Sequence, residues 1–346
     1  MTHINELFPE TDFREQVAKG NVRVQSHPDF PDLAIANYTE QAAFSRDWNP
    51  VTLTCRGLIW NISTHQVLAR PFPKFFNWDE KEAPRILDDQ VVYHWADKAD
   101  GSLGIIYLDP NGKLNVATRG SFASDQAKLG AALLRNESRE TLEHLEFLVR
   151  NDYTPLVEIC GPDNRIVLCY DENQLVALGS IYVPTGEFVP PHYAPKRTMR
   201  DLLRDLSREN AEGWVVWLSN TKAMKIKQAD YVELHRMVSN LTKKEVWRQL
   251  SAGTYETYVK QLPDELFKLA QGWAGEITAE FGELHYRAVA VHKYLLRGEQ
   301  SSRKEQAIWI NTNAAEKVRG LVFSLLDGKE IDSAIYRMIE PKGNVS

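Results

Sequence analysis

The sequence predicts an α+β protein, an antiparallel-sheet domain over residues 1–238 followed by an all-helical domain over 239–346. Three observations carry this. From 67 to 182, short β-branched and aromatic runs dominate, and Asp109-Pro110-Asn111-Gly112 joins two of them in a turn that favours a hairpin. Further on, Trp273, Ile277, Phe281, Leu284, Ala288, Val291 and Leu295 step by three and four, which is one apolar face of a long helix. After about His235 no run reads as a strand, and no internal repeat or low-complexity segment appears.

In chain order, 21–24 and 33–38 read as strands separated by the turn residues Pro28 and Pro31. Thr39 caps a helix over 39–46, and Asn49-Pro50 ends it. The run 52–60 is β-branched and aromatic enough for a strand. The apolar run 91–95 leads to Lys98, and 103–108 and 114–118 form the hairpin. One helix is expected between Ser124 and Asn151, where Leu129, Leu133, Leu134, Leu142, Leu145 and Leu148 recur at helical spacing. Strands are expected at 155–160, 175–183, 213–217 and 222–227, with a helix at 199–208. Arg297-Gly298 ends the long helix, and 314–326 and 331–339 read as helices too.

Composition bounds the function. The 346 residues are 43% hydrophobic and 25% charged, as in soluble proteins. No apolar run approaches the roughly 18 residues that span a bilayer. The start, Met1-Thr2-His3-Ile4-Asn5-Glu6, has no basic region before an apolar one, so no signal peptide is expected. Cys55, Cys160 and Cys169 have no Cys-x-x-Cys spacing and predict buried reduced thiols in a cytoplasmic protein. With a net charge of -6, any polyanion must be held by a local basic surface.

Lys98 lies in Asp97-Lys98-Ala99-Asp100-Gly101-Ser102-Leu103, a primary amine at a strand end beside a glycine that lets the backbone bend. Alone, such a fragment is better explained by a turn. Five other stretches bear on it. Arg56-Gly57 sits in a strand-like run, where a surface arginine before a bulge is the plainer reading. Lys74-Phe75-Phe76-Asn77 sets a cation among aromatics, as a snorkelling lysine at a core edge also would. Glu158 lies inside Leu156-Val157-Glu158-Ile159-Cys160, and an acid in so apolar a run is costly unless paired. Glu212-Gly213 opens a strand, and Lys225-Ile226-Lys227 alternates, so both amines share one face or guard an exposed edge.

Together these residues make one chemical set. A nucleophilic lysine must be neutral, and bringing its pKa from about 10.4 to near 7 takes a shift of roughly 3.4 units, about 4.6 kcal/mol. Neighbouring cations and partial burial supply such a shift. Arg56, Lys74, Lys225 and Lys227 are those cations, and they equally suit the phosphates of a nucleotide. Glu158 and Glu212 would serve its ribose or a metal ion, since Mg²⁺ takes a few carboxylates plus water and phosphate oxygens. No Gly-x-Ser-x-Gly or P-loop string offers rival chemistry.

In order, Lys98-Ala99-Asp100-Gly101-Ser102, Glu158, Glu212-Gly213 and Lys225-Ile226-Lys227 resemble motifs I, III, IV and V of the covalent nucleotidyltransferases. The finer resemblance is to the T4-type RNA ligase 1 family. It rests on Cys55-Arg56-Gly57, Lys74-Phe75-Phe76-Asn77, Gly161-Pro162-Asp163-Asn164-Arg165-Ile166-Val167 and Tyr231-Val232-Glu233-Leu234-His235, and covers about 34–235. Two positions depart from the family. Ala99 stands where an acid often follows the nucleophile, leaving Asp100 or Glu158 to serve a metal. Arg119 stands where a lysine is common, keeping the charge but not its geometry.

The resemblance implies an antiparallel-sheet nucleotidyltransferase domain and an ATP- and Mg²⁺-dependent RNA ligase, with Mn²⁺ as an alternative metal. Lys98 would take AMP from ATP, pass it to an RNA 5′-phosphate, and let an RNA 3′-hydroxyl displace it. It places Arg56, Lys74, Phe76, Arg119, Lys225 and Lys227 on the nucleotide, with Glu158 and Glu212 near its ribose and Tyr38 near its adenine. Asp264 would approach the metal with Asp100 and Glu158, although an acid at a helix N-terminus also fits there. The partners implied are single-stranded RNA ends or nicked tRNA in RNA repair, in the cytoplasm (the host's, for a phage protein). The helical domain would read RNA, with no membrane and no oligomer implied. DNA ligases and capping enzymes follow motif V with an OB-fold, whereas this C-terminus reads helical. A non-catalytic RNA-binding relative is the remaining alternative; decay would first erase Lys98, Lys225 or Lys227, and all three are intact.

Overall fold

The structure is a computed structural model describing residues 2–164, 166–260, 262, 264–298 and 302–342, with the side chains of 234, 237–239, 264 and 265 outside the description. The chain divides into two compact units, Met1–Glu233 and Leu234–Ser346.

The first unit is built on three antiparallel sheets. Strands β1 (Val22–Ser26), β2 (Leu33–Tyr38), β3 (Arg56–Asn61) and β4 (Val67–Ala69) form one in that order. A five-stranded sheet contains β6 (Ser102–Leu108), β7 (Leu114–Ala117), β8 (Tyr153–Cys160), β9 (Gln174–Tyr182) and β10 (Phe188–Val189), in the order β10-β9-β8-β6-β7. The third sheet aligns β5 (His94–Asp97), β11 (Gly213–Trp217) and β12 (Ala223–Lys227), with β11 in the middle. Ile35, Ile59, Ile105, Leu156, Phe188 and Trp217 pack together as a core drawing on all three sheets. Behind β6 and β8 a second apolar cluster, with Val157 and Ile159, is closed by the helices Asp125–Arg135 and Arg139–Arg150.

The expected α+β architecture is present, and four local expectations are corrected. Asn49-Pro50 starts a helix, Pro50–Thr54, because the Asn49 side chain accepts the N–H groups of Val51 and Thr52 and proline is tolerated in a first turn. The strand expected from 52 therefore begins at Arg56. The single helix expected within 124–151 is two, since Ser138 caps a new N-terminus through the N–H of Thr141. Of the cysteines, Cys55 and Cys160 are buried, but Cys169 is exposed.

The second unit is helical, and no strand occurs in it among the described residues. Helix Asp264–Arg297 presents Ala270, Ala274, Ile277, Leu284, Ala288 and Leu295 to a core shared with Val246, Ile310, Val318, Val322 and Ile335. Among the described residues no helix is long and apolar enough to cross a membrane.

Candidate active site

Register in the third sheet assembles the centre of the site. Trp214 pairs with Asp97 on one side and Ile226 on the other, so the next row sets Lys98, Gly213 and Lys227 side by side. The Lys98 N–H continues the ladder, donating to the Gly213 carbonyl at 2.9 Å. Glu212, one residue before that row, thus lies between two amines carried by its neighbours on both sides. Lys98 Nζ is 2.8 Å from its Oε2 and Lys227 Nζ is 2.9 Å from its Oε1, with Glu212 only 2% exposed.

Strand alternation supplies the next cation. On β12, Met224 and Ile226 are buried against Leu202 and Trp214, which leaves Lys225 and Lys227 on the opposite face. Lys225 pairs across to Asn77, its N–H donating to the Phe76 carbonyl at 3.0 Å. This brings the 74–77 stretch to the same place. Burial, and then the charges of Lys74, Lys227, Lys98 and Arg56, push the Lys225 amine down to about 7.

Lys74 lies 4.8 Å from the centre of the Phe76 ring and 5.4 Å from that of Trp48, a cation held by two aromatic faces. Burial lowers its pKa. Trp48 meets the edge of Tyr38 as well, with ring centres 5.2 Å apart. Arg56 opens β3 beside Phe75, and its Nη1 is buried with no hydrogen-bond partner. Burial and then the adjacent Arg119 lower the Arg56 pKa, although a guanidinium stays charged. Arg119 is exposed and reaches the Tyr38 hydroxyl at 3.5 Å.

On β8, Val157 and Ile159 pack under the outer helices, so Glu158 projects to the other face of the sheet. Burial pushes its carboxyl up to about 7 against the opposing pull of Lys98 and Arg56. Asp100 is 3% exposed and accepts from the N–H groups of Val167 and Leu168, both at 2.7 Å, and from the Tyr231 hydroxyl at 2.8 Å.

The structure thus gathers Lys98, Lys227, Glu212, Lys225, Lys74, Phe76, Arg56, Arg119, Tyr38 and Glu158. Asp100 lies behind them, occupied by its own partners. The Asp264 side chain falls outside the described residues. Among the described residues no three His, Cys, Asp or Glu side chains converge as a ready-made metal cage. Sequence reasoning missed Trp48, whose only signal was an aromatic next to a turn, and Tyr170, whose hydroxyl accepts the Asp100 N–H at 3.0 Å.

Glycine makes two of these approaches possible. A Cβ at Gly213 would stand 2.0 Å from the Ile226 carbonyl oxygen, and its φ of +136° is itself strained for other residues. Gly101 does not use the left-handed region; a Cβ there would lie 2.2 Å from the Ile159 carbonyl oxygen, so close packing against β8 explains the glycine.

An antiparallel scaffold that ends on a paired lysine ringed by cations has the local charge to hold a polyanion against an amine. Comparison narrows the reading. Residues 54–198 match the family model described as RNA ligase, of the T4 type. It is 28% identical over 268 residues to a putative bifunctional polynucleotide kinase/RNA ligase of Autographa californica nuclear polyhedrosis virus, covering 68% of this chain and 38% of that one. It is 30% identical over 145 residues to RNA ligase 1 of bacteriophage TS2126, covering 39% and 36%. The chain spans 36–41% of the length of such curated relatives. Among solved structures, an archaeal ATP-dependent RNA ligase aligns over 93% of this chain and 96% of its own, with 14% identity and a TM-score of 0.45.

Proposed function

We propose that this protein is an ATP-dependent RNA ligase joining 5′-phosphate to 3′-hydroxyl ends, with unit 1 carrying nucleotidyl transfer and the helical unit engaging RNA. The observation that carries the reading is Glu212 between the amines of Lys98 and Lys227, with Lys225, Lys74 and Arg56 around them. That cluster has more cations than its carboxylates balance, which suits a triphosphate. The buried, unpartnered Nη1 of Arg56 is a donor of the kind a phosphate oxygen satisfies.

In the first step the Lys98 amine attacks the α-phosphorus of ATP. A phosphorus–nitrogen bond forms as the bond to pyrophosphate breaks, and Glu212 Oε2, at 2.8 Å, is placed to take the amine's proton. Lys225 and Lys227 neutralise charge on the α-phosphate and the leaving pyrophosphate. An oxygen of the RNA 5′-phosphate then takes AMP from Lys98, and a 3′-hydroxyl attacks the activated phosphorus and releases AMP. Tyr38 and Trp48 offer aromatic faces for the base, and Glu158 and Glu212 reach toward the ribose. A divalent ion would be held by Glu158 with water and phosphate oxygens completing it, since Glu212 has an ammonium on each oxygen and no side-chain cage is present among the described residues. Such an ion, Mg²⁺ or Mn²⁺, contributes charge neutralisation at the phosphates when bound.

The test is joining. A 5′-phosphorylated, single-stranded RNA incubated with the protein, ATP and Mg²⁺ is expected to give circles and dimers whose 5′-phosphate resists phosphatase. Protein that forms the adduct but joins only nicked DNA, or takes up GTP and not ATP, would move the assignment to the DNA ligases or capping enzymes. Nicked tRNA against unstructured RNA tests the repair reading, with faster sealing of tRNA expected.

A further inference from the structure

Asp100 lies two residues beyond Lys98, and its side chain is buried in the protein. At 3% exposure its carboxylate touches two other segments. Oδ2 accepts the N–H groups of Val167 and Leu168, each at 2.7 Å, and Oδ1 accepts the Tyr231 hydroxyl at 2.8 Å. Its own N–H donates to the Tyr170 hydroxyl at 3.0 Å. An ionised carboxylate has about four acceptor positions, so three are taken. Only one position, on Oδ1, is left, so a metal binding through both oxygens would have to displace a buried donor and leave it unpaired.

The 162–168 stretch, which the chemistry leaves without a part, has one here. After the short turn Pro162–Asn164, the Asn164 side chain donates to the Ile159 carbonyl at 2.5 Å and accepts from the Ser102 hydroxyl at 3.2 Å. That contact ties Asn164 to the start of β6, and Val167 and Leu168 a little further along bring the two amides to Asp100. The backbone around Lys98 is consequently fixed from both sides. On one, Lys98 N–H is bonded to Gly213; on the other, Gly101 packs on Ile159 and Asp100 is held by 167–168 and Tyr231.

We propose that Asp100 is a positioning residue, a buried clamp that joins the Lys98 loop to the 167–168 amides and to Tyr231 and thereby aims the Lys98 amine, and not a metal ligand. The proposal rests on the reading of Lys98 as the nucleophile. Chemistry distinguishes a clamp from a ligand. In Asp100→Asn the amide oxygen serves both backbone N–H groups while its NH₂ donates to the Tyr231 hydroxyl, so the clamp survives and the charge is lost.

The experiment compares Asp100→Asn, Asp100→Ala and Tyr231→Phe with wild type, measuring lysyl-AMP formation, its Mg²⁺ dependence, and hydrogen exchange of the peptide containing Val167 and Leu168. Asn should adenylylate within about tenfold of wild type at the same half-saturating Mg²⁺, and Ala should be slower by about a hundredfold or more. Tyr231→Phe, which loses the hydroxyl's contacts to Asp100 and Glu212 and keeps the two backbone amides on Asp100, should fall by about tenfold or more. The 167–168 amides should stay protected in Asn and lose protection in Ala. Asn as slow as Ala with those amides still protected, or a Mg²⁺ requirement raised more than about tenfold in Asn, would overturn the clamp. Should wild type form no adduct, the nucleotidyl reading fails on its own. Exchange then decides the clamp: lost protection in Ala sustains it, and unchanged protection sinks it.

Discussion

Glu212 holds its carboxylate at 2% exposure, with an ammonium on each oxygen and those ammonium groups about one-quarter exposed. Removing the charge strands two partly buried cations. Glu212→Gln should therefore lower unfolding free energy by about 2–3 kcal/mol, below the roughly 3–5 of a fully buried pair because water still reaches the amines. Denaturant titration checks this, and an unchanged midpoint would contradict the pairing. Lys225 sets a pH dependence. With its folded pKa near 7 and its ordinary value at 10.5, it is fully charged only below 7. ATP affinity should weaken as pH rises from 6 to 8.5 and be flatter in Lys225→Arg, as calorimetry in two buffers would read. Between 7 and 10.5 the unfolded chain binds more protons than the folded one, so this residue's burden on stability, full below 7, is relieved as pH rises. Lys225→Met should accordingly raise Tm more at pH 6 than at pH 9. The residues of this site were legible as types in order: an acid inside an apolar strand, two lysines in alternation. Asp100's partners were not, because two are backbone amides with no side-chain signature.

At the scale of elements, the site exists because β5, β11 and β12 meet in one register, and Gly213 permits it. Gly213→Ala would drive a Cβ into the Ile226 carbonyl at a φ of +136°. The expected result is a loss of about 2–4 kcal/mol from strain and a shifted ladder, with adenylation falling alongside. Retained stability and rate would mean the row linking Lys98, Gly213 and Lys227 is not needed. Strands of strong β-branched alternation and the Asn111-Gly112 hairpin were readable from local chemistry. Short helices were not. Asn-Pro serves both as a stop after one helix and as cap and first residue of the next, and the dipeptide itself does not separate the two uses. Ser138 carried a cap signal of the ordinary kind, but the leucines on both sides continue at helical spacing and hid the break.

For the whole molecule, the two units have separate cores, one from three sheets and one from helices. The change in hydrophobic period near His235 foretold a helical C-terminal unit, because period is set directly by which face is buried. How the sheets divide was not foretold, since pairing partners far apart in sequence leave no local trace. A chain ending at residue 238 is expected to keep self-adenylation within about tenfold while losing RNA joining by more than that, read from both assays on one preparation. Equal loss in both would assign the helices to stability. All of this turns on the Lys98 amine. Incubated with α-labelled ATP and Mg²⁺, the wild-type protein is expected to retain label through denaturation, released by acid, on the tryptic peptide containing Lys98, and Lys98→Ala to retain none. Label persisting in Lys98→Ala, or mapping to Lys225 or Lys227, would contradict the account.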